Sequence, residues 1–285
     1  MNQRSKAWLC SAALIVLTAA AINSPAVAQE SAIPNFMSTD SGWLLASGIN
    51  FRSIAGEIAP IGADPTFRRG AIGNGQVAIE RIADAEYRNL KPWATAQMKM
   101  HNDLVRGGHR AFMAQSRCWP GGVPGQLLFP AEPIFFIQQP EEVWIIWQRD
   151  HHVRRVYLNR AHSENLKPSW FGESIGHYEN GELVIDTIGF IEHQYSFVDN
   201  YRTPHTKDLH VVERWKMTDG GRAIEATVRV EDPGTFNAPW SGLSRWQKVD
   251  RGPLIESICA ENNLNYERYF RLNEYPMPEA KTLDF

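Results

Sequence analysis

Residues 173–188 read ESIGHYENGELVIDTI, and this stretch decides the fold. Asn180-Gly181 is the dipeptide a two-residue hairpin turn favours, because both central positions take a positive φ. Folding the chain back there sets Glu179 opposite Glu182, Tyr178 opposite Leu183 and His177 opposite Val184. Side chains alternate along a strand, so Ser174, Gly176, Tyr178, Leu183, Ile185 and Thr187 share one face, which reads as packing. The other face carries Ile175, His177, Glu179, Glu182, Val184 and Asp186. It is mixed, and it places His177 diagonal to Asp186, within reach of a hydrogen bond.

A second hairpin follows, in which Asp219-Gly220-Gly221 turns 209–217 back into 223–231. Leu209, Val211, Trp215 and Met217 share a face with Glu213 at its centre, and Ile224, Ala226, Val228 and Val230 face them. A carboxylate on such a face must be paired, or its pKa rises until it is neutral. Arg154, in phase with Val156 and Leu158, offers a partner from a neighbouring strand. Two readings stand side by side. One is a buried Glu213–Arg154 ion pair; the other is a Glu213 that meets a ligand in a low-dielectric cavity as general acid or base.

Working outward, further strands are expected over 134–139, 143–149 and 153–159. Short strands linked by turn chemistry, with few helices between them, predict a mainly β fold, an antiparallel β-barrel. One helix should begin at Pro92 and stop at Gly107-Gly108, presenting Trp93, Ala96, Met100 and Leu104 as its covering stripe, with His101 at the boundary. Residues 29–85 are rich in Gly, Pro, Asn and Ser without a sustained period, and read as an irregular N-terminal arm. The expected organisation is thus 1–28, 29–85 and a single domain over 86–285.

Segment 1–28 has the layout of a secretory signal peptide: Arg4 and Lys6, an apolar run from Ala7 to Ala21, then Ala26-Val27-Ala28 before the cleavage point. Export to the periplasm or beyond is the expectation, with no membrane span in the mature chain. Cys118 and Cys259 survive processing, either as one bridge or as two buried thiols. The net charge of −3 supplies no basic field for nucleic acid. Ten tryptophans suit a β-rich core or a pocket for flat apolar ligands.

Two loops hold the other polar candidates: 159–162 leading to Trp170-Phe171-Gly172-Glu173, and 199–205 ending in Pro204-His205. The first function class is a cofactor-independent lyase or isomerase acting on an apolar, hydroxylated small molecule, aromatic or terpenoid. Glu213 with His205 or His177 would move the proton, Asp186 would support His177, and Arg154 would stabilise an oxyanion. Tyr157, His162, Trp170 and Trp215 would contact the substrate. The second class is a periplasmic carrier using the same cavity. The third is a metal-dependent hydrolase built from His162, His177, His205 and Asp186, which lacks any tight ligand spacing such as HExxH. No cofactor and no metal is expected. Gly172-Glu173-Ser174-Ile175-Gly176 matches G-x-S-x-G by letter, but lies on a hairpin arm rather than at a strand-to-helix elbow.

A resemblance rests on linked motifs: Arg154-Arg155-Val156-Tyr157, then 170–179, then Leu183-Val184-Ile185-Asp186-Thr187. It continues through Pro204-His205, 209–214, Asp232-Pro233 and Pro239-Trp240 to Cys259-Ala260-Glu261-Asn262. Over about residues 86–262 the chain resembles a large family of exported bacterial proteins, most without an assigned activity. The resemblance implies a single β-rich domain of lipocalin- or calycin-like type and transfers no chemistry. The chain departs from that pattern at Asn159-Arg160-Ala161-His162, where relatives often read Asp-Gly-Arg-x-His. It also departs at Glu173, where they often carry His, and at His177, where they carry Arg or Lys.

Overall fold

The phasing read from 173–188 is the phasing of the fold. A computed structural model describes residues 33–37, 40–67, 81–107, 113–129 and 132–261. The expected signal segment 1–28, Gly108, Asn262 and the rest of the chain's end lie outside them. The elements are β1 (Gly42–Leu45), β2 (Arg52–Ser53), α1 (Pro92–Arg106), β3 (Ile134–Gln138), β4 (Glu142–Trp147) and β5 (Val153–Leu158). They continue with β6 (Glu173–Glu179), β7 (Glu182–Ile188), β8 (His210–Thr218), β9 (Ala223–Glu231) and β10 (Trp240–Val249). From β3 to β10 each strand pairs with the next, and β1 pairs with both β3 and β10. The result is a closed, mainly β barrel, with β2 added beside β10.

Both hairpins hold the expected register. His177 lies opposite Val184, Glu179 opposite Glu182, and Glu213 opposite Val228. One pairing corrects the antiparallel expectation: β5 runs parallel to β6, with Val156 opposite Ser174 and Leu158 opposite Gly176. Parallel neighbours need a long crossover, and segment 159–172 supplies it.

Three strands escaped the sequence pattern: β1, the two-residue β2 and β10. β1 lies in the stretch read as irregular and closes the barrel, with Trp43 buried inside and its Nε1 donating to Phe36 O at 2.9 Å. Four residues are too few to show a period. β10 turns Trp240, Gly242, Ser244 and Trp246 inward, and the small residues hide the alternation. A Cβ on Gly242 would stand 2.7 Å from Phe51 Cβ, so the smallness is required by close approach.

Helix α1 starts and stops as expected, but buries another face. Ala94, Met98, His101, Asn102 and Val105 are inside, while Trp93 is 42% exposed. Asn102 sets this rotation: its Oδ1 accepts from Ala83 N at 3.0 Å and its Nδ2 donates to Ala83 O at 2.8 Å. Trp93 instead lies along the surface and donates through Nε1 to Gly234 O. His101 is therefore a buried residue rather than a boundary one.

The barrel interior is filled by side chains. Trp215 stacks on Trp246 with centroids 4.8 Å apart, and Phe136 meets Trp215 edge-on at 5.4 Å. Among the described residues no helix is long and apolar enough to cross a membrane.

Candidate functional site

Alternation along β5 turns Arg154, Val156 and Leu158 inward, and along β8 it does the same for Val211, Glu213 and Trp215. Arg154 and Glu213 meet inside the barrel as an ion pair, through Nη2 and Oε2, and both side chains are 0% exposed. The guanidinium is held by two hydroxyls from the intervening strands. Arg154 Nε donates to Ser174 Oγ at 2.9 Å, Nη2 donates to Thr187 Oγ1 at 2.8 Å, and the hydroxyls are 3.1 Å apart. The ion pair read as one alternative from phasing is thus present. Sequence reasoning placed Ser174 and Thr187 on the packing face without seeing that their hydroxyls complete it.

The pair is not saturated. Arg154 Nη1 and Glu213 Oε1 are buried and have no hydrogen-bond partner among the described residues. Buried polar groups are almost always paired, because an unmet donor or acceptor costs about 1–3 kcal/mol, more when charged.

A cleft of about 430 Å3 is lined by Arg154, Ser174, Tyr157, Phe171, Glu173 and Lys167, among others, and reaches the Arg154 side of the pair. The parallel crossover explains its position. Pairing of β5 with β6 begins at Val156, so Val153–Arg155 has no strand partner on that side and the wall carries a seam. Phe171 forms an aromatic wall, stacked on Trp147 at 5.7 Å. Tyr157 lies beneath the Arg160 guanidinium, 3.5 Å from ring centroid to Cζ, and also borders a second cleft of about 340 Å3.

Segment 159–172 is clasped to the barrel's outer face at the rim. His162 Nδ1 is 3.1 Å from Glu173 Oε2 and its Nε2 is 2.9 Å from Asp186 Oδ1. Ser163 adds a backbone donation to Glu173 Oε2 at 2.8 Å, and His210 Nε2 donates to Asp186 Oδ2 at 3.0 Å. Burial alone would raise the pKa of Asp186, but hydrogen bonds from His210 and His162 outweigh it and hold the group below the ordinary value. Glu173 is likewise held low, with Ser163 and His162 outweighing burial. The hydrogen bond to Asp186 in turn raises the pKa of His210. His210 and Ser163 carry no motif and were not singled out from sequence.

The remaining candidates lie apart from the ion pair. His177 points outward, half exposed, and is 3.5 Å from Glu179; the expected bond to Asp186 is not made, because His162 and His210 occupy that carboxylate. His205 is buried in its loop, with Nδ1 2.9 Å from Thr206 O and Nε2 2.7 Å from Ser196 Oγ. Burial lowers its pKa, with the Thr206 carbonyl and Asp232 pulling the other way. Trp215 is core packing against Trp246. Trp170 joins Trp119 and His193 in a separate aromatic cluster, at 5.8 and 5.2 Å, beside the cleft-lining Phe171. Of the sequence candidates, Arg154 and Glu213 meet inside the wall, Tyr157 borders the cleft, and His162 with Asp186 forms the rim clasp.

His177 and His205 are not brought to Asp186, so the four-residue metal set is dispersed. Among the described residues one trio has metal-ligand spacing, Cys118, Asp150 and Cys259, but the two cysteines form a disulfide and have no thiolate to offer. No protein-family model and no curated protein matches the sequence.

Proposed function

We propose that this exported protein binds a small, apolar, hydroxylated molecule in the cleft between β5 and β6 and moves a proton on it without a cofactor. One observation carries the reading: a fully buried guanidinium–carboxylate pair that keeps one unpartnered atom on each side, Arg154 Nη1 and Glu213 Oε1, next to a seam in the wall. A pair serving stability alone is better replaced by apolar side chains. Spare valences at a buried charge fit a group that completes its bonding in a complex.

The dispersal of the histidines favours a single base, hence isomerisation over elimination, which would need a second acid for the leaving group. A C–H bond next to a substrate carbonyl breaks and its proton passes to Glu213 Oε1. The electron pair moves onto the carbonyl oxygen as an enolate, stabilised by Arg154 Nη1. The proton returns to another carbon of the same molecule, which restores the carboxylate and releases an isomer. A carrier of the same ligand is the second reading, favoured by the complete burial of Glu213. The Cys118–Cys259 disulfide supports export, since such bridges persist in oxidising compartments. The barrel is compatible with a lipocalin-like assignment.

Incubation with an enolisable aryl ketone in D2O tests the proposal. The wild type should wash deuterium into the position beside the carbonyl, and Glu213→Gln should slow this by about 100-fold or more with its circular dichroism unchanged. Ligand binding without wash-in would leave the carrier.

A further inference from the structure

We infer that the Cys118–Cys259 bridge is a thiol–disulfide exchange site, where a small thiolate attacks Cys118 and Arg149 holds the Cys259 thiolate that leaves. The inference needs nothing from the cleft reading.

The turn between β4 and β5 supplies the groups around the bridge. Arg149 Nη2 donates to Cys259 Sγ at 2.6 Å, and its guanidinium lies over the Phe129 ring, 5.2 Å from the centroid. A disulfide sulfur is a weak acceptor, whereas a thiolate carries a full negative charge. The contact therefore strengthens as the S–S bond breaks, and a stabilised leaving thiolate speeds exchange. Asp150 adds a carboxylate, one oxygen of which lies within 4.8 Å of both sulfurs. Its Oδ1 accepts from Cys259 N at 2.7 Å, and its Oδ2 is buried without a hydrogen-bond partner among the described residues. A cysteine S–H becomes a donor to that carboxylate only once the bridge has opened.

Exposure sets the direction of attack. Cys259 is 7% exposed and Cys118 is half-buried, so Cys118 is the sulfur an outside thiolate reaches, and a small thiol fits better than a folded protein. In the first step the incoming sulfur bonds to Cys118 Sγ, the S–S bond breaks, and its electron pair leaves on Cys259. In the second step another thiolate attacks the bound incoming sulfur, and Cys118 leaves as a thiolate. Two external thiols are oxidised to a disulfide, the bridge is reduced, and the protons they released pass to the cysteines or to solvent. The opened segment stays in place to close again. Asp150 N donates to Ser257 O at 2.8 Å and His151 Nε2 to Ile255 O at 3.0 Å, besides the bond from Cys259 N.

Mixing folded, oxidised wild type with reduced glutathione at pH 7, then quenching with iodoacetamide and mapping by mass spectrometry, tests this. The bridge should open without denaturant, with glutathione on Cys118 and the alkyl label on Cys259. Arg149→Gln, its fold checked by circular dichroism, should open at least about tenfold more slowly, and Arg149→Lys, which keeps the charge, should recover most of the rate. A bridge that only ties the chain together predicts the opposite sign, because losing Arg149 loosens the segment around the sulfurs. Faster or unchanged opening in Arg149→Gln overturns the inference. So does glutathione found on Cys259, or a wild-type bridge that opens only in urea, and these two outcomes decide the matter even if Arg149→Gln does not fold.

Discussion

Glu179 and Glu182 stand directly opposite each other at the Asn180-Gly181 turn, where like charges should repel. Arg214, from β8, resolves the conflict by donating to Glu182 at 2.7 Å and to Glu179 at 2.6 Å. Residues that share a strand face could be read this way in advance, which is why Arg154 and Glu213 were legible. Partners arriving from loops could not, and His162 took the carboxylate that phasing had assigned to His177. His101 makes a prediction at this scale. Burial, reinforced by the Arg202 charge, lowers its pKa to about 4 from 6.5. Between those values the unfolded chain binds a proton that the folded chain does not, so stability falls as pH drops through the window. The complete loss from this group is about 3 kcal/mol. Urea unfolding at pH 7 and pH 4 should show a drop in His101→Gln that is smaller by about that amount. An equal drop in both proteins would contradict the assignment.

At the scale of elements, strands flanked by Gly-containing turns were legible because a period of two over six or more residues is hard to mistake. β1 is too short to show that period, and β10 breaks it with Gly242 and Ser244. The parallel β5–β6 pair was missed because strand direction follows from the crossover, which no local pattern records. Helix α1 shows the opposite failure, since two apolar stripes one residue apart compete and a tertiary bond from Asn102 to Ala83 chooses between them. Met98→Ala should therefore cost about 2–5 kcal/mol, whereas Leu104→Ala, half-buried, should cost about 1 kcal/mol or less. Chemical denaturation distinguishes them, and a larger loss at Leu104 would restore the stripe expected from spacing.

Across the whole molecule, closure is what creates the site. Joining β1 to β10 completes a wall whose inward faces are almost all apolar, and the polar quartet of Arg154, Ser174, Thr187 and Glu213 is buried where the wall is weakest. The disulfide between Cys118 and Cys259, 141 residues apart in sequence, ties the segment before β3 to the segment after β10. On the chain-entropy account such a bridge removes about 5 kcal/mol of unfolded-state freedom. The architecture and the ion pair were legible in the sequence, but the seam beside them was not, because it depends on where a parallel pairing starts. The account turns on whether that pair is a working site or internal packing. The most direct test is the double variant Arg154→Met/Glu213→Leu, assayed for both unfolding free energy and deuterium wash-in into an enolisable aryl ketone in D2O. We predict a folded protein at least as stable as the wild type that no longer catalyses the exchange. A variant that exchanges as the wild type does would contradict the central claim.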